Sequence, residues 1–505
     1  MHQFFDGFDP EALKQLLLFD KNNPLLFNSG MFMLLFAVFL VIYQAMRRWQ
    51  NAKMIFVILF SLYFYYKSSA EYCFILLGVC VSDYCLGMLL GHTKRRFWRR
   101  SIVLLNIVLN IGMLVYFKYF NLIYETFANI TGTNFDALDI VLPAGISFFT
   151  FRSISYMVDI YRGQMQPARN FLQYTFFLTF FPPLLAGPVV RAKDMLPQIK
   201  ANPQATRAMV AEGLFLIMAG LVKKVIVADY ISGNFVDRIF ENPSLYSGVE
   251  NLLGSIGFTV QIYCDFSGYS DMAIGLALLL GFRFKDNFRS PFKSQNASEF
   301  WRRWHISLST WLRDYVYIPM GGNRRGKARQ HLNLFTTMIV GGLWHGASWF
   351  YLIWGGYQGL LLSCHKMLSK VWHAPAKLKG KAPVTFVNIL ITFVLTVFGF
   401  TIFRMGYFKE SFQDSMTRLG SMGTQIINDF HFDILPQFVE AYLLIVVAIF
   451  GALLMHFLPS SWTESLKRRY TAMPLLVQTI VLCIIIFLVI QTRQSDLVPF
   501  VYLQY

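Results

Sequence analysis

The sequence predicts an all-α protein that crosses a membrane many times, with about 10–12 membrane helices and re-entrant or broken segments among them. Three observations carry this reading. Of the 505 residues, 55% are hydrophobic and only 14% are charged, where a soluble domain carries about 25% charged residues. The mean hydropathy is +0.46. The apolar residues also fall in long runs, with room for about a dozen spans of ~20 residues. Finally, basic clusters and acidic loops alternate between the first runs. A disordered chain, a collagen-like chain and a small secreted scaffold are excluded.

The net charge is +17, from 45 basic and 28 acidic residues. The basic residues sit in short clusters between apolar runs, as the positive-inside rule requires, so no nucleic-acid partner is expected. Six cysteines occur, with no C-x-x-C pair. They read as small buried hydrophobes and not as a disulfide framework or zinc site.

The N-terminal segment carries Asp6, Asp9, Glu11 and Asp20 and lacks a basic n-region, so no cleavable signal peptide is expected. The first apolar run is 31–46, followed by Arg47, Arg48 and Lys53. Runs 54–66 and 72–90 lead to Lys94, Arg95, Arg96, Arg99 and Arg100. Run 102–120 leads to Glu125, Asp136 and Asp139. This order places the N-terminus outside the cytoplasm. In the last third, Lys366, Lys370, Lys377, Lys379 and Lys381 precede run 384–403. A mixed loop holds Glu410, Asp414, Asp429 and Asp433; run 439–457 returns to Lys467, Arg468 and Arg469. Run 475–490 takes the chain out again, so both termini are expected outside, with an even number of crossings.

The middle departs from this scheme. Between 140 and 340 the apolar stretches are broken at Pro143, Pro182-Pro183, Gly187-Pro188, Lys223-Lys224, Gly268 and Gly281. A membrane tolerates such breaks only where protein or a water-filled cavity satisfies the freed backbone. A functional site is therefore expected there.

Three motifs stand out. The first, 261–275, holds Asp265 and Asp271. Six residues apart, they would point about 240° apart on a helix, a poor geometry for a shared proton. Gly268 between them is a possible helix break. Intramembrane carboxylates default to function; the alternative is that they satisfy exposed backbone or pair with an arginine such as Arg283. The second, 287–315, reads as a helix starting at Glu299 and capped by Ser298. Trp301, Trp304, Leu308, Trp311 and Tyr315 fall within an arc of about 80°. Arg302, Ser309 and Arg313 form the adjoining polar face, with His305 on the seam. This is either an interfacial helix with a tryptophan belt or the wall of a cavity.

The third motif is Gly341-Gly-Leu-Trp-His-Gly346. Basic residues at 323–329 and from Lys366 flank it, so stretch 332–362 is expected to enter the membrane and return to the same side. His345 would lie about 20 Å along the helix, within a hydrocarbon core about 30 Å thick. It is either a satisfied core residue or a functional histidine at depth, beside Trp344. His305, His331, His345 and His365 are spaced 14 to 26 residues apart, so no metal site is expected. Walker, Rossmann and G-x-S-x-G signatures are missing from the sequence, which leaves nucleotide and soluble-hydrolase chemistry without support.

Taken together, these motifs resemble the membrane-bound O-acyltransferase (MBOAT) family, closest to its bacterial alginate and polysaccharide O-acetyltransferase branch. The resemblance runs over about 142–365, within a chain read as one integral membrane domain, 1–505. It rests on 180–191 (Phe-Phe-Pro-Pro-Leu-Leu-Ala-Gly-Pro-Val-Val-Arg), 265–275, 301–314, 317–324 and 342–346. It implies a helical core with a tunnel, His345 nearest the acyl transfer and His305 as second histidine. Trp344, Asp265, Asp271, Trp301, Arg302, Trp304 and Asp314 become candidate binding or supporting residues. The branch pattern has an aromatic where Cys264 stands, which touches local packing only. Acyl transfer from a thioester needs a base near neutrality, which imidazole supplies, and an oxyanion donor. Trp344 N–H, the backbone near Gly346 and His305 are equal candidates for the donor.

The resemblance further implies acetyl-CoA as donor, with no permanently bound cofactor. It implies an SGNH-type extracytoplasmic partner, an exported polysaccharide as final acceptor and a bacterial cytoplasmic membrane location. The basic loop 323–329 either attracts the anionic donor or serves topology alone. The tail 491–505 ends in Phe500-Val-Tyr-Leu-Gln-Tyr505, similar to a terminus of this branch. That implies Tyr502 as an acyl relay, against the alternative of an interfacial aromatic anchor. Two rivals remain: a teichoic-acid D-alanyl transferase using a carrier-protein donor, and a transporter or flippase. A transporter would show paired halves with matching broken segments, which this sequence lacks.

Overall fold

The computed structural model describes residue 14 and residues 17–20, 24–371, 381–408, 410–492 and 500. Asp6, Asp9, Glu11, Lys377, Lys379 and Tyr502 lie outside the described residues. Among those described, the secondary structure is helical, with no strand. In chain order the α-helices of seven residues or more are α1 (Gly30–Ala45), α2 (Gln50–Ser69), α3 (Cys73–His92), α4 (Arg96–Leu114), α5 (Phe120–Thr131), α6 (Ile146–Tyr161), α7 (Phe171–Thr179), α8 (Ala192–Ala201), α9 (Arg207–Leu221) and α10 (Gly248–Leu279). They continue with α11 (Ala297–Arg303), α12 (Ile306–Leu312), α13 (Lys327–His345), α14 (Trp349–Val371), α15 (Ala382–Met405), α16 (Phe412–Asn428), α17 (Leu435–Ala441), α18 (Leu443–Phe457), α19 (Ser460–Ala472) and α20 (Leu475–Thr492).

Each apolar run read from the outer parts of the sequence is helical, though run 439–457 is split between α17 and α18 and run 102–120 passes through a π-helical turn at Val115–Tyr119. Among the described residues, four helical stretches are long and apolar enough to span: Gln50–His92, Arg96–Thr131, Ala382–Met405 and Leu475–Thr492. A fifth span results if α17 and α18, bent by 94°, count as one. The remaining helices are shorter or more polar, because the middle of the chain buries its polar groups in protein. The outer helices expose continuous apolar stripes: Leu34, Val38 and Val41 on α1; Leu104, Leu105 and Val108 on α4; Leu476, Ile480, Ile484 and Phe487 on α20. Soluble proteins rarely expose such patches. Here they are the faces that lipid covers, and the protein is a multi-pass membrane protein.

The chain divides into two compact units, neither of them a contiguous stretch. One comprises 1–117, 140–186 and 190–204; the other comprises 118–139, 187–189 and 205–505. In the first, Phe181 explains the aromatic-proline motif. Its ring lies 5.1 Å from Phe60, 5.8 Å from Phe39 and 5.9 Å from Phe64. The two prolines end α7, and the loop turns back through this aromatic nest. Asp83 of α3 is fully buried. It accepts from Asn106 at 2.6 Å, Ser153 at 2.8 Å and Tyr174 at 2.7 Å. Those donors stand on α4, α6 and α7, so one carboxylate ties four helices together.

The second unit is built around α10, buried along nearly its whole length. A capping box starts it: Ser247 Oγ accepts from Glu250 N, and Glu250 accepts from Ser247 N. Gly268 does not break this helix. It faces Gly220 of α9, and Gly275 faces Gly213. A Cβ on Gly220 would lie 2.5 Å from Gly268 O, and one on Gly213 would lie 2.8 Å from Gly275 O. The seven-residue spacing on both helices puts two close contacts two turns apart. Small residues that admit close backbone approach are how helices pack in lipid.

Gly220→Val should therefore destabilise the protein by about 1–3 kcal/mol through overpacking. Thermal unfolding in detergent checks this. Gly112→Ala, at a glycine with open space around its Cβ position, should unfold like the unsubstituted protein.

Candidate active site

Two helix ends create the site, both in the second unit. The first is the C-terminus of α13. Gly341 and Gly342 lie in its last turn and Gly346 follows His345 with an extended backbone. A Cβ on Gly342 would collide with Tyr351 O, and one on Gly355 would sit 2.5 Å from Met338 O. The glycines thus let α13 and α14 pack as a tight hairpin. The apolar stretch 332–362 forms this hairpin, with His345 at its turn. The His345 side chain is buried, ringed by Trp344 at 5.0 Å, Trp354 at 5.1 Å and Phe403 at 5.0 Å.

The second helix end is His305. The single helix expected from Glu299 to Tyr315 is instead two, α11 and α12, parted at Trp304 and His305. His305 adopts the left-handed conformation, φ 40° and ψ 56°. That conformation is costly for an L-residue, though histidine adopts it more readily than most. The cap of α11 is Asn296, whose side chain accepts from Glu299 N at 2.9 Å, and not Ser298. The break turns His305 into the interior, where it is fully buried.

Asn287 holds His305 in place. Asn287 Oδ1 accepts from Ser307 N at 3.2 Å and from Ser307 Oγ at 2.9 Å. The backbone donor fixes that atom as the oxygen, so His305 Nδ1, 3.2 Å away, must be the protonated nitrogen. Nε2 then carries the lone pair. Asn287 Nδ2 donates to Ser270 Oγ at 3.0 Å, which anchors the amide to α10.

The two histidines meet through Trp344, whose ring lies 5.8 Å from His305 and 5.0 Å from His345. Trp301 joins the cluster through Trp354 at 5.9 Å and donates to Gln358 at 3.3 Å. Trp304 packs between Phe300, Phe288 and Phe400. The tryptophan stripe is therefore buried protein core and not an interfacial belt. Arg302 is exposed, outside this cluster, and Asp314 is paired with neighbouring Arg313 at 2.7 Å.

Asp265 and Asp271 do find basic partners, but lysines of the opposite helix in place of Arg283. Lys224 Nζ lies 2.5 Å from Asp265 and 2.8 Å from Asp229; Lys223 lies 2.6 Å from Asp271. Arg283 pairs with Glu212. Lys223 and Lys224 sit in the π-helical turn Val222–Asp229, a distortion often found at functional positions. One helical turn from Asp265, Tyr269 packs edge-on against Phe500 at 4.2 Å, and Lys224 Nζ sits 4.5 Å over the Phe500 ring. Phe266, on the same helix, touches His305 at 4.6 Å. Asn287, Ser307, Lys224 and Trp354 are parts of this arrangement that sequence reasoning missed. Asn287 stood at the head of a motif, but no spacing rule marked its distance to His305.

A buried histidine pair in a multi-pass helical protein is a candidate site, because ionisable groups are expensive to hold away from water and imidazole is suited to proton transfer. The MBOAT, membrane-bound O-acyltransferase family, pattern matches residues 166–408. A Pseudomonas aeruginosa protein named "Probable alginate O-acetylase AlgI" is 41% identical over 388 residues, covering 75% of this chain and 72% of its own. The peptidoglycan O-acetyltransferase of Helicobacter pylori is 35% identical, covering 75% and 77%. The teichoic acid D-alanyltransferase of Bacillus subtilis is 30% identical, covering 51% and 68%. The chain belongs to the membrane-bound O-acyltransferase family and is an acyltransferase, which removes the transporter reading. The matched region starts later than 142 and runs on past 365 to include α15, the helix that supplies Phe403.

Asn287→Leu removes the acceptor shared by His305 and Ser307 and leaves buried donors unsatisfied, at a cost of about 1–3 kcal/mol. The variant should lose acyl transfer by more than it loses folded protein. Activity per folded molecule, with folded protein measured by size-exclusion chromatography, separates the two.

Proposed function

We infer that the protein moves an acetyl group from cytosolic acetyl-CoA through a bacterial cytoplasmic membrane for O-acetylation of an exported polysaccharide. An SGNH-type extracytoplasmic transferase completes the transfer. The carrying observation is the pair of buried histidines joined by Trp344 inside a membrane O-acyltransferase. In this reading His345 takes the proton of an attacking hydroxyl. The oxygen forms a bond to the thioester carbonyl carbon, the C–S bond breaks, and the proton passes to the departing CoA sulfur. His305, with its Nε2 lone pair, is the second histidine of the site. Both termini face the outside, as the alternation of basic and acidic loops supports.

The acceptor at the membrane site is Tyr502, which carries the acetyl group outward to the partner. A bulky polysaccharide cannot thread a narrow protein interior. Phe500 supports this reading: it packs on Tyr269 and under Lys224, on the helix that touches His305. A second reading, D-alanyl transfer from a carrier protein, has the similarity to the Bacillus subtilis enzyme in its favour. It is weaker than the similarity to the O-acetylating relatives.

His345→Ala should cut acetyl transfer by about 10²–10⁴-fold, the usual worth of a general base, with normal membrane accumulation. His305→Ala should be damaging but less complete. Radiolabelled acetyl-CoA given to membrane vesicles reads both, and a fully active His345→Ala enzyme would refute the assignment. Labelled D-alanine entering in place of acetate would establish the second reading.

Tyr502→Phe should block polysaccharide acetylation at unchanged protein level. Mass spectrometry of the C-terminal peptide should find acetyl on Tyr502 when the partner is deleted. Leu503→Cys should label from the outer face; labelling from the cytoplasmic side alone would exclude the relay.

A further inference from the structure

His345 is the last residue of α13, and a helix that ends inside protein must satisfy its final carbonyl groups. Gly346 turns the chain away with φ −172°. The carbonyls are met from a distant part of the sequence. Lys118 Nζ donates to Trp344 O at 2.7 Å and to His345 O at 3.3 Å. Tyr119 OH donates to Leu343 O at 2.5 Å. Three consecutive carbonyls at the catalytic helix end are thus held by two neighbouring side chains.

Those neighbours stand in the π-helical turn Val115–Tyr119, between α4 and α5. On a regular helix adjacent residues diverge by about 100°. The extra residue of a π turn changes that direction, and here both side chains reach one helix end. A lysine at a helix C-terminus also opposes the partial negative charge of the peptide dipoles. Lys118 and Tyr119 lie outside every motif read from the sequence and outside the family match at 166–408.

We propose that Lys118 is a positioning residue for acyl transfer. By holding the carbonyls of Trp344 and His345, it fixes the main chain from which both rings project. Tyr119 completes the clamp at Leu343. Lys118 acts through the placement of His345, by its bonds to the two carbonyls. A displacement of about 1 Å at a reacting group can cost a hundredfold in rate. The inference rests on the reading of His345 as the base.

The test uses the full-length enzyme in membrane vesicles, with initial rates of acetyl transfer followed against acetyl-CoA concentration and His345→Ala alongside. Lys118→Met keeps the length of the side chain and removes its donors. It should lower kcat per folded molecule by about ten- to a hundredfold, with KM for acetyl-CoA within about twofold. Lys118→Arg, which can still donate to both carbonyls, should recover most of that loss. An active His345→Ala enzyme would defeat the base assignment and this inference with it. A silent His345→Ala enzyme beside a Lys118→Met enzyme of normal kcat would overturn the inference alone. So would a Lys118→Met loss wholly accounted for by less folded protein, or a Lys118→Arg enzyme as slow as Lys118→Met. Should Lys118→Met fail to accumulate, Tyr119→Phe decides: a lower kcat at unchanged KM supports the clamp, and a normal kcat refutes it.

Discussion

The rest of the structure depends on one constraint: a helix can end inside a membrane protein only where something satisfies its last backbone groups. α13 ends inside protein because Lys118 and Tyr119 donate to its carbonyls and because Gly342 and Gly355 let α14 pack back against it. The break between α11 and α12 obeys the same rule. Ile306 N donates to Asn287 O at 2.9 Å and Ser307 N to Asn287 Oδ1, so one asparagine closes the start of α12. Each helix end carries a histidine. Interrupted helices present side chains that a continuous helix would turn along its flank.

The same economy governs charge. Lys224 is nearly inaccessible and lies between Asp265 and Asp229. Buried ions of this kind give little net stability, but each requires its partners in place. Their effect is to fix the π turn after α9 against α10, the helix that presents Phe266 to His305 and Tyr269 to Phe500. The first unit has its own version in Asp83, a carboxylate satisfied by three neutral donors.

The chemistry follows from placement more than from unusual residues. Imidazole, indole and amide are ordinary groups. His305 gains a defined tautomer from Asn287, and His345 gains a fixed orientation from a rigid hairpin and three aromatic neighbours. A water-poor interior strengthens the few polar interactions that remain, which suits a reaction that moves one proton and one acyl group.

The sequence by itself determined the helical class and the outer apolar helices, and it singled out His305 and His345 as candidates. Apolar run length is a local property, and a histidine between glycines in an apolar stretch is conspicuous wherever the chain leads. The sequence could not decide which breaks were real. Gly268 read as an interruption and is a helix–helix contact, while the Trp304–His305 step read as continuous helix and is a break. In both cases the neighbour decides. A glycine breaks a helix or admits another according to what lies against it, and a left-handed histidine persists only where Asn287 and Ser307 hold it. Lys118 shows the limit most plainly: 226 residues separate it from Trp344, and only the folded chain brings an amine from one helix to the carbonyls that end another.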